Sequence, residues 1–197
     1  VLVVVSVSVN ICWHFLVGWM PSYLKEDRGM TYLASGYWSA VPFLAADVGN
    51  LAGGALALVL ARGGLPPARA RLGVMAGCAV LISAGAGVGF APNDLATIAL
   101  LASMALGAAA FMANYFAFCQ EVSPRHTGLV VGILGGLGNL FAAGVLPMAG
   151  WVKDQTGGFA PIFVVVGFAP FVGVAALAMG WGREEPKALD AALDELA

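Results

Sequence analysis

The chain has 197 residues, of which 60% are hydrophobic and 10% are charged, and its formal net charge is −2. Soluble domains usually carry about 25% charged residues, so this composition excludes an ordinary water-soluble fold. The lack of a basic excess also argues against nucleic acid as a partner.

Six apolar stretches are each long enough to cross a membrane as a helix, which takes about 20 mostly apolar residues. Lipid offers the backbone no hydrogen-bond partner, and the stretches lack the alternation of β-barrel strands, so all six are predicted to be helices. We predict an all-α integral membrane domain over residues 1–182, followed by a charged cytoplasmic tail at 183–197. The predicted spans are residues 1–21, 34–61, 72–91, 95–119, 127–152 and 160–181.

The first stretch opens at Val1 inside an apolar run, with neither an initiator Met nor the charged region of a signal peptide. We therefore expect this sequence to be a piece of a longer protein. Asn10 and His14 are its intramembrane polar groups. They are candidates to line a cavity, and a single structural hydrogen bond is the alternative for each.

The second stretch contains Asp47, the one acidic residue that lies clearly inside a span. A charge at the bilayer centre costs about 2.5–3.5 kcal/mol on insertion scales, so Asp47 must face the protein interior, face water, or be protonated. Asn50 lies three residues on and shares its helix face. Proton or cation coupling at Asp47, with Asn50 beside it in a substrate cavity, is one interpretation. A structural acid that caps a backbone break or pairs with a neighbouring helix is the other.

The fourth and fifth stretches carry the remaining candidates, Asn114, Tyr115 and Asn139. Asn114 and Tyr115 share a helix face with aromatic rings, a combination that suits hydrogen bonding to a polyol, although interhelical bonds would also explain them. Glycines at fourfold spacing, 49 and 53 in the second stretch and 128, 132 and 136 in the fifth, favour close helix packing or sliding.

The tripeptide Gly-Asn-Leu occurs at 49–51 and again at 138–140, in the middle helix of each half of the chain. This recurrence, with the even division into three and three spans, predicts two inverted three-helix repeats, the plan of many secondary transporters.

Basic residues are distributed unevenly between the two ends of the predicted bundle. Three lie in the loops after helices one, three and five, and six lie in the loops after helices two and four and in the tail. Cytoplasmic segments are enriched in Lys and Arg, so the tail is expected to be cytoplasmic.

Motifs for bond-making chemistry are missing from the sequence. It contains no Gly-x-Ser-x-Gly, no His-Glu-x-x-His and no phosphate-binding Gly-x-x-x-x-Gly-Lys pattern. The three cysteines at 12, 78 and 119 lack metal-ligand spacing and are expected to be free, buried thiols. We predict no enzyme activity, no cofactor and no metal site, which leaves movement of a solute as the expected function.

Three segments of the chain resemble the anion:cation symporter family of the major facilitator superfamily, which includes bacterial hexuronate, glucarate and galactonate carriers. Residues 13–30 read WHFLVGWMPSYLKEDRGM and are similar to that family's seventh helix and the loop after it. Residues 42–54 (PFLAADVGNLAGG) look like its eighth helix, and residues 121–128 (EVSPRHTG) resemble the junction of its tenth and eleventh. The chain departs from the family after Gly54, where an acidic residue is missing.

The resemblance implies the C-terminal six-helix half of a twelve-helix carrier in the bacterial inner membrane. It further implies alternating access and symport of an organic anion, typically a sugar acid, with a proton, or with sodium. The N-terminal six-helix half would then be the partner of this chain. A six-helix membrane scaffold or assembly subunit that transports nothing is the alternative.

Overall fold

A computed structural model of the chain describes residues 1–181, so the predicted tail at 183–197 lies outside the described residues. The described part is an all-α bundle without β-strands, and all six of its helical segments are long and apolar enough to cross a membrane. The helices are α1 (Leu2–Glu26), α2 (Tyr32–Arg62), α3 (Pro67–Ser83), α4 (Asp94–Val122), α5 (Thr127–Thr156) and α6 (Ala160–Gly180).

Helix α3 ends at Ser83, eight residues before the predicted end at 91, and prolines mark two further differences of five residues each. Helix α1 continues five residues past Pro21, because a membrane helix tolerates a proline whose lost backbone bond is compensated by its surroundings. Helix α3 begins at Pro67, five residues before the predicted start, since proline is well suited to the first turn of a helix. A glycine-rich 3₁₀ segment, Ala84–Phe90, extends α3.

The packing of the helices has an internal twofold pattern. Helix α1 of the first triplet packs mainly on α5 and α6 of the second, and α4 of the second packs mainly on α2 and α3 of the first. Helices α1 and α4 also meet each other, as do α3 and α6. Exchanging the two triplets reproduces the same set of contacts, which is the arrangement expected of two inverted repeats.

Glycine permits the closest of these contacts, between α2 and α4. A Cβ atom on Gly53 would lie 2.7 Å from the Cβ of Ala110, and one on Gly49 would overlap the carbonyl group of Leu106. Small residues let membrane helices pack without a hydrophobic driving force between them. A Cβ atom added to the glycines at 128, 132 and 136 of α5 would instead meet no atom of the described residues within 4 Å.

Ion pairs join the helices where they end. Arg28, just after α1, binds Asp94 at the start of α4 at 2.8 Å, and Lys153 of α5 binds Glu26 of α1. At the opposite end, Arg71 of α3 binds Glu121 of α4. Between the two ends, the three cysteines are free and buried, as predicted.

Candidate substrate-binding site

Helices α2 and α5 have the largest exposed faces of the bundle. Only 22% of the most apolar window of α2 is buried, and 17% of that of α5, compared with 50% for α1 and 56% for α4. Each of the two is the middle helix of its triplet, and they occupy equivalent places in the packing pattern. The two helices therefore present the most exposed surfaces of this six-helix unit.

Asp47 lies at the midpoint of α2, as the sixteenth of its 31 residues, and its side chain is exposed. The carboxylate has no hydrogen-bond or ion-pair partner within residues 1–181. An unpaired carboxylate at this depth is too costly to leave in contact with lipid. Unless its carboxyl group is protonated, the face of α2 that carries Asp47 must therefore be covered by protein or by water.

The two Gly-Asn-Leu tripeptides occupy equivalent positions in the structure. In each, the glycine is buried against the first helix of the opposite triplet: Gly49 against Leu106 of α4, and Gly138 against Ser6 and Asn10 of α1. The residues that follow, Asn50 and Asn139 and then the leucines, are exposed. The two asparagines therefore lie on the open faces of α2 and α5, near the middle of each helix.

The two polar candidates of α1 are held by bonds within their own helix. His14, at the midpoint of α1, is half-buried, and its Nδ1 donates to the carbonyl oxygen of Asn10 at 2.9 Å. Asn10 is buried, and its amide donates to the carbonyl oxygen of Ser6 at 2.9 Å and to the Ser6 hydroxyl at 3.2 Å. His14 thus retains a ring nitrogen for another partner, whereas Asn10 belongs to the contact between α1 and α5.

Asn114 joins α4 to α2 rather than standing free. Its amide donates to the carbonyl oxygen of Ala110 at 2.9 Å and, across the interface, to that of Gly53 at 3.2 Å. The side chain is 2% exposed. The Asn114 amide thus donates to two backbone carbonyl oxygens, and the bond across the interface stabilises the close approach of α2 and α4.

Tyr115 is fully buried, and its hydroxyl has no hydrogen-bond partner among residues 1–181. A buried hydroxyl without a partner costs about 1–3 kcal/mol, so this group is an energetic burden in the present arrangement. Tyr115 thus belongs to the buried core of the bundle. The candidates that are exposed or half-buried near the helix midpoints are Asp47, Asn50, Asn139 and His14.

Ser6 is a polar group that sequence reasoning missed. Its hydroxyl donates to the carbonyl oxygen of Leu134 at 2.8 Å and so connects α1 to α5. The spacing could have revealed it, because Ser6 precedes Asn10 by four residues and therefore shares the polar face of α1.

The chemistry available at these open positions is hydrogen bonding and proton exchange. No cluster of three or more metal-ligating side chains occurs among the described residues. All seven lysines and arginines of residues 1–181 lie in loops or near helix ends, and none lies near the midpoints. A carboxylate, two amides and an imidazole can bind hydroxyl groups and carry a proton, but they include no permanently charged cation that could hold an anion.

The chain is similar to curated sugar-acid transporters. It is 32% identical over 165 residues to the D-galactonate transporter of Escherichia coli O6:H1, a match that covers 82% of this chain and 37% of the relative. It is 28% identical to the hexuronate transporter of Bacillus subtilis, covering 86% of this chain and 42% of that protein. A probable galactarate/D-glucarate transporter of Bacillus subtilis is 28% identical over 78% of the chain and 34% of the relative.

The chain thus spans between a third and about two-fifths of the length of these relatives. No family model matches the chain.

Proposed function

Because this chain is a member of the major facilitator superfamily, related to its sugar-acid transporters, we propose that it forms the C-terminal half of a carrier for a small organic anion. The carrier would accept a sugar acid such as a hexuronate or an aldarate. It would work by alternating access, with the two halves rocking around a site near the bilayer midplane. The proposed location is the bacterial inner membrane, with the C-terminus in the cytoplasm, where basic residues are enriched.

The observation that carries this proposal is the unpaired carboxylate of Asp47 at the midpoint of α2. Its face cannot contact lipid without a large cost, so it requires a partner surface or a water-filled cavity. The open glycine stripe of α5, at 128, 132 and 136, supports the same conclusion, since it offers a second helix a place to pack closely. Asn139 lies on the same face of α5 as this stripe.

The charge distribution supports a second, N-terminal half as the source of the cationic partner. A sugar acid carries a carboxylate, and a desolvated carboxylate needs a positive group or several hydrogen-bond donors. Residues 1–181 have no lysine or arginine near the helix midpoints. In this proposal, Asn50 and Asn139 bind the hydroxyl groups of the substrate, and the N-terminal half binds its carboxylate.

Coupling is assigned to Asp47, with His14 as a second group able to exchange a proton. A carboxylate that alternates between water and a closed cavity can take up a proton on one side and release it on the other. Neutral asparagine in its place would keep the shape of the side chain but not the proton. Net accumulation should then fail, whereas exchange of substrate across the membrane can continue.

The test is uptake of labelled galactonate, glucarate and glucuronate by vesicles that contain the whole carrier. An imposed proton gradient should drive accumulation of at least one of them, and Asp47→Asn should abolish accumulation but retain exchange. Asp154→Asn, which removes an exposed carboxylate at the end of α5, is the matched control and should accumulate substrate normally. Wild-type accumulation by Asp47→Asn would refute the coupling role, and no uptake of any of the three acids would favour the scaffold alternative.

A further inference from the structure

The two ring nitrogens of His14, at the midpoint of α1, have different surroundings. Nδ1 lies 2.9 Å from the carbonyl oxygen of Asn10. A carbonyl oxygen only accepts, so Nδ1 carries the proton, and the neutral ring keeps Nε2 as an acceptor. Nε2 has no hydrogen-bond partner among residues 1–181, and the Tyr115 hydroxyl is the single side-chain nitrogen or oxygen there that is both buried and without a partner. Nε2 is therefore exposed at the surface of this six-helix unit.

The turn of α1 that precedes His14 lies against α5, beside Asn139. A Cβ atom added to Gly138 would lie 2.5 Å from the amide nitrogen of Asn10, and Asn139 is the next residue of α5. Asn10 precedes His14 by four residues, so the two side chains share a face of α1. His14 thus lies one helical turn from the contact that α1 makes beside Asn139.

A second contact connects α1 to α2 close to Asp47. Trp13, the residue before His14, packs edge-on against Phe43 of α2, and their ring centroids are 6.2 Å apart. Phe43 precedes Asp47 by four residues and shares its face of α2. The contacts of α1 thus bring His14 to the same level of the bundle as Asp47 and Asn139, and all three side chains are exposed or half-buried.

His14 is the one side chain near the helix midpoints of residues 1–181 that can gain a positive charge. Of the helices packed on α1, α5 carries its ionisable side chains at its C-terminal end, and α6 has none. Helix α4 contributes Tyr115 and Cys119, both in its buried face, and α1 itself contributes the buried Cys12. The one carboxylate at this level in the described part of the chain is Asp47 of α2.

Protonation changes what His14 offers to a substrate, because Nε2 becomes a cationic donor. A charge at this depth is costly unless an anion shares the site. A charge-assisted hydrogen bond to a carboxylate is about twice as strong as one between neutral groups. A substrate carboxylate at Nε2 therefore favours the protonated ring. The protonated ring favours the carboxylate equally, since the coupling between two bound ligands is reciprocal.

We propose that His14, in its protonated state, binds the second carboxylate of an aldarate, a sugar acid with a carboxylate at each end. This inference rests on the proposed function, in which the N-terminal half binds the first carboxylate, and it makes dicarboxylic sugar acids the preferred substrates. A sugar acid with one carboxylate has no anionic group left for His14. A lower pH on the outer side of the membrane then favours binding of the dianion there, and a higher pH in the cytoplasm favours its release.

The experiment compares galactarate with galactonate, which differ in having a carboxylate or a hydroxymethyl group at the sixth carbon. Exchange is measured in vesicles that contain the whole carrier, with the same pH on both sides so that no proton gradient acts. The ratio of the two KM values should favour galactarate at low pH. This preference should fall by up to about tenfold per pH unit between about pH 5.5 and 8, the range in which histidine titrates.

Variants assign this pH dependence to one residue. His14→Gln should lower the preference for galactarate about tenfold or more at low pH, from the loss of a charged hydrogen bond, and should remove its pH dependence. His14→Arg, whose cation cannot be deprotonated, should prefer galactarate at every pH, and it provides an independent test if His14→Gln does not fold. His126→Gln removes the other histidine of the chain, at the N-cap of α5, and is the matched control that should behave as the parent does.

Three results would overturn this inference and leave the proposed function intact. The first is a preference that does not change with pH in the unaltered carrier. The second is an equal effect of His14→Gln on both acids with the pH dependence retained, which is the result expected if His14 only holds Asn10. The third is loss of the pH dependence in Asp47→Asn but not in His14→Gln. Absence of exchange of either acid by the unaltered carrier would refute the proposed function and this inference with it.

Discussion

A single methyl group at Gly49 should weaken the contact between α2 and α4. The added Cβ would lie 2.9 Å from the carbonyl carbon of Leu106 and closer still to its oxygen, and both atoms belong to the backbone. A backbone group cannot rotate away as a side chain can, so the two helices must separate. At Gly54, on the same helix, an added Cβ meets nothing within 4 Å.

The two substitutions should change the free energy of unfolding in opposite directions. Overpacking of a close contact costs about 1–3 kcal/mol, and a backbone clash belongs at the upper end of that range. Alanine is favoured over glycine in a helix by about 0.5–1 kcal/mol. Gly49→Ala should therefore lower the free energy of unfolding by about 2 kcal/mol, whereas Gly54→Ala should raise it by up to about 1 kcal/mol.

Thermal unfolding of the purified protein in detergent, followed by circular dichroism, would measure both variants under the same conditions. For a protein of this size, 1 kcal/mol corresponds to a shift in Tm of roughly 2–4 °C, so Gly49→Ala should unfold about 4–8 °C below the parent. Gly54→Ala should unfold at or above the temperature of the parent. Equal shifts for the two variants would refute the close contact between the helices at Gly49.

Three further substitutions test individual bonds. Tyr115→Phe should leave Tm unchanged or raise it, because the hydroxyl removed has no partner, and a marked fall would reveal a hydrogen bond to it. Asn114→Leu should cost about 0.5–1.5 kcal/mol in chemical unfolding, since it removes the bond from α4 to the carbonyl of Gly53, and a neutral result would show that this bond contributes nothing. Arg28→Gln should cost about 1 kcal/mol or less at low salt and less at high salt, as expected for its partly exposed pair with Asp94, so a salt-independent loss would contradict that account.

The recurrence of Gly-Asn-Leu shows how far a local pattern can predict a site. The sequence related Gly49 and Gly138 as members of a repeat, and the structure shows both of them packed on the first helix of the opposite triplet. The sequence did not reveal that α2 packs on α4 and that α5 packs on α1, because the choice of a partner helix depends on residues distant in the chain. The assignment of Asn50 and Asn139 to a substrate site stays a prediction.

The asparagines of α1 and α4 illustrate the opposite case. In the sequence, Asn10 and Asn114 are as polar and as central to an apolar run as Asn50. In the tertiary structure they are buried and donate to backbone carbonyls, whereas Asn50 is exposed. Helical periodicity tells which residues share a face, but only packing decides which face meets another helix.

The sequence by itself determined that the chain forms six apolar, membrane-spanning helices. Whether an apolar run is long enough to cross a bilayer depends only on the residues of that run. The sequence also determined that Asp47 in its charged form could not face lipid, since placing a charge in hydrocarbon is costly in any fold. Only the tertiary structure decided which glycines contact another helix and which asparagines are buried. These properties depend on contacts between helices, whose bonds join residues 50 to 128 positions apart, and no local pattern records them.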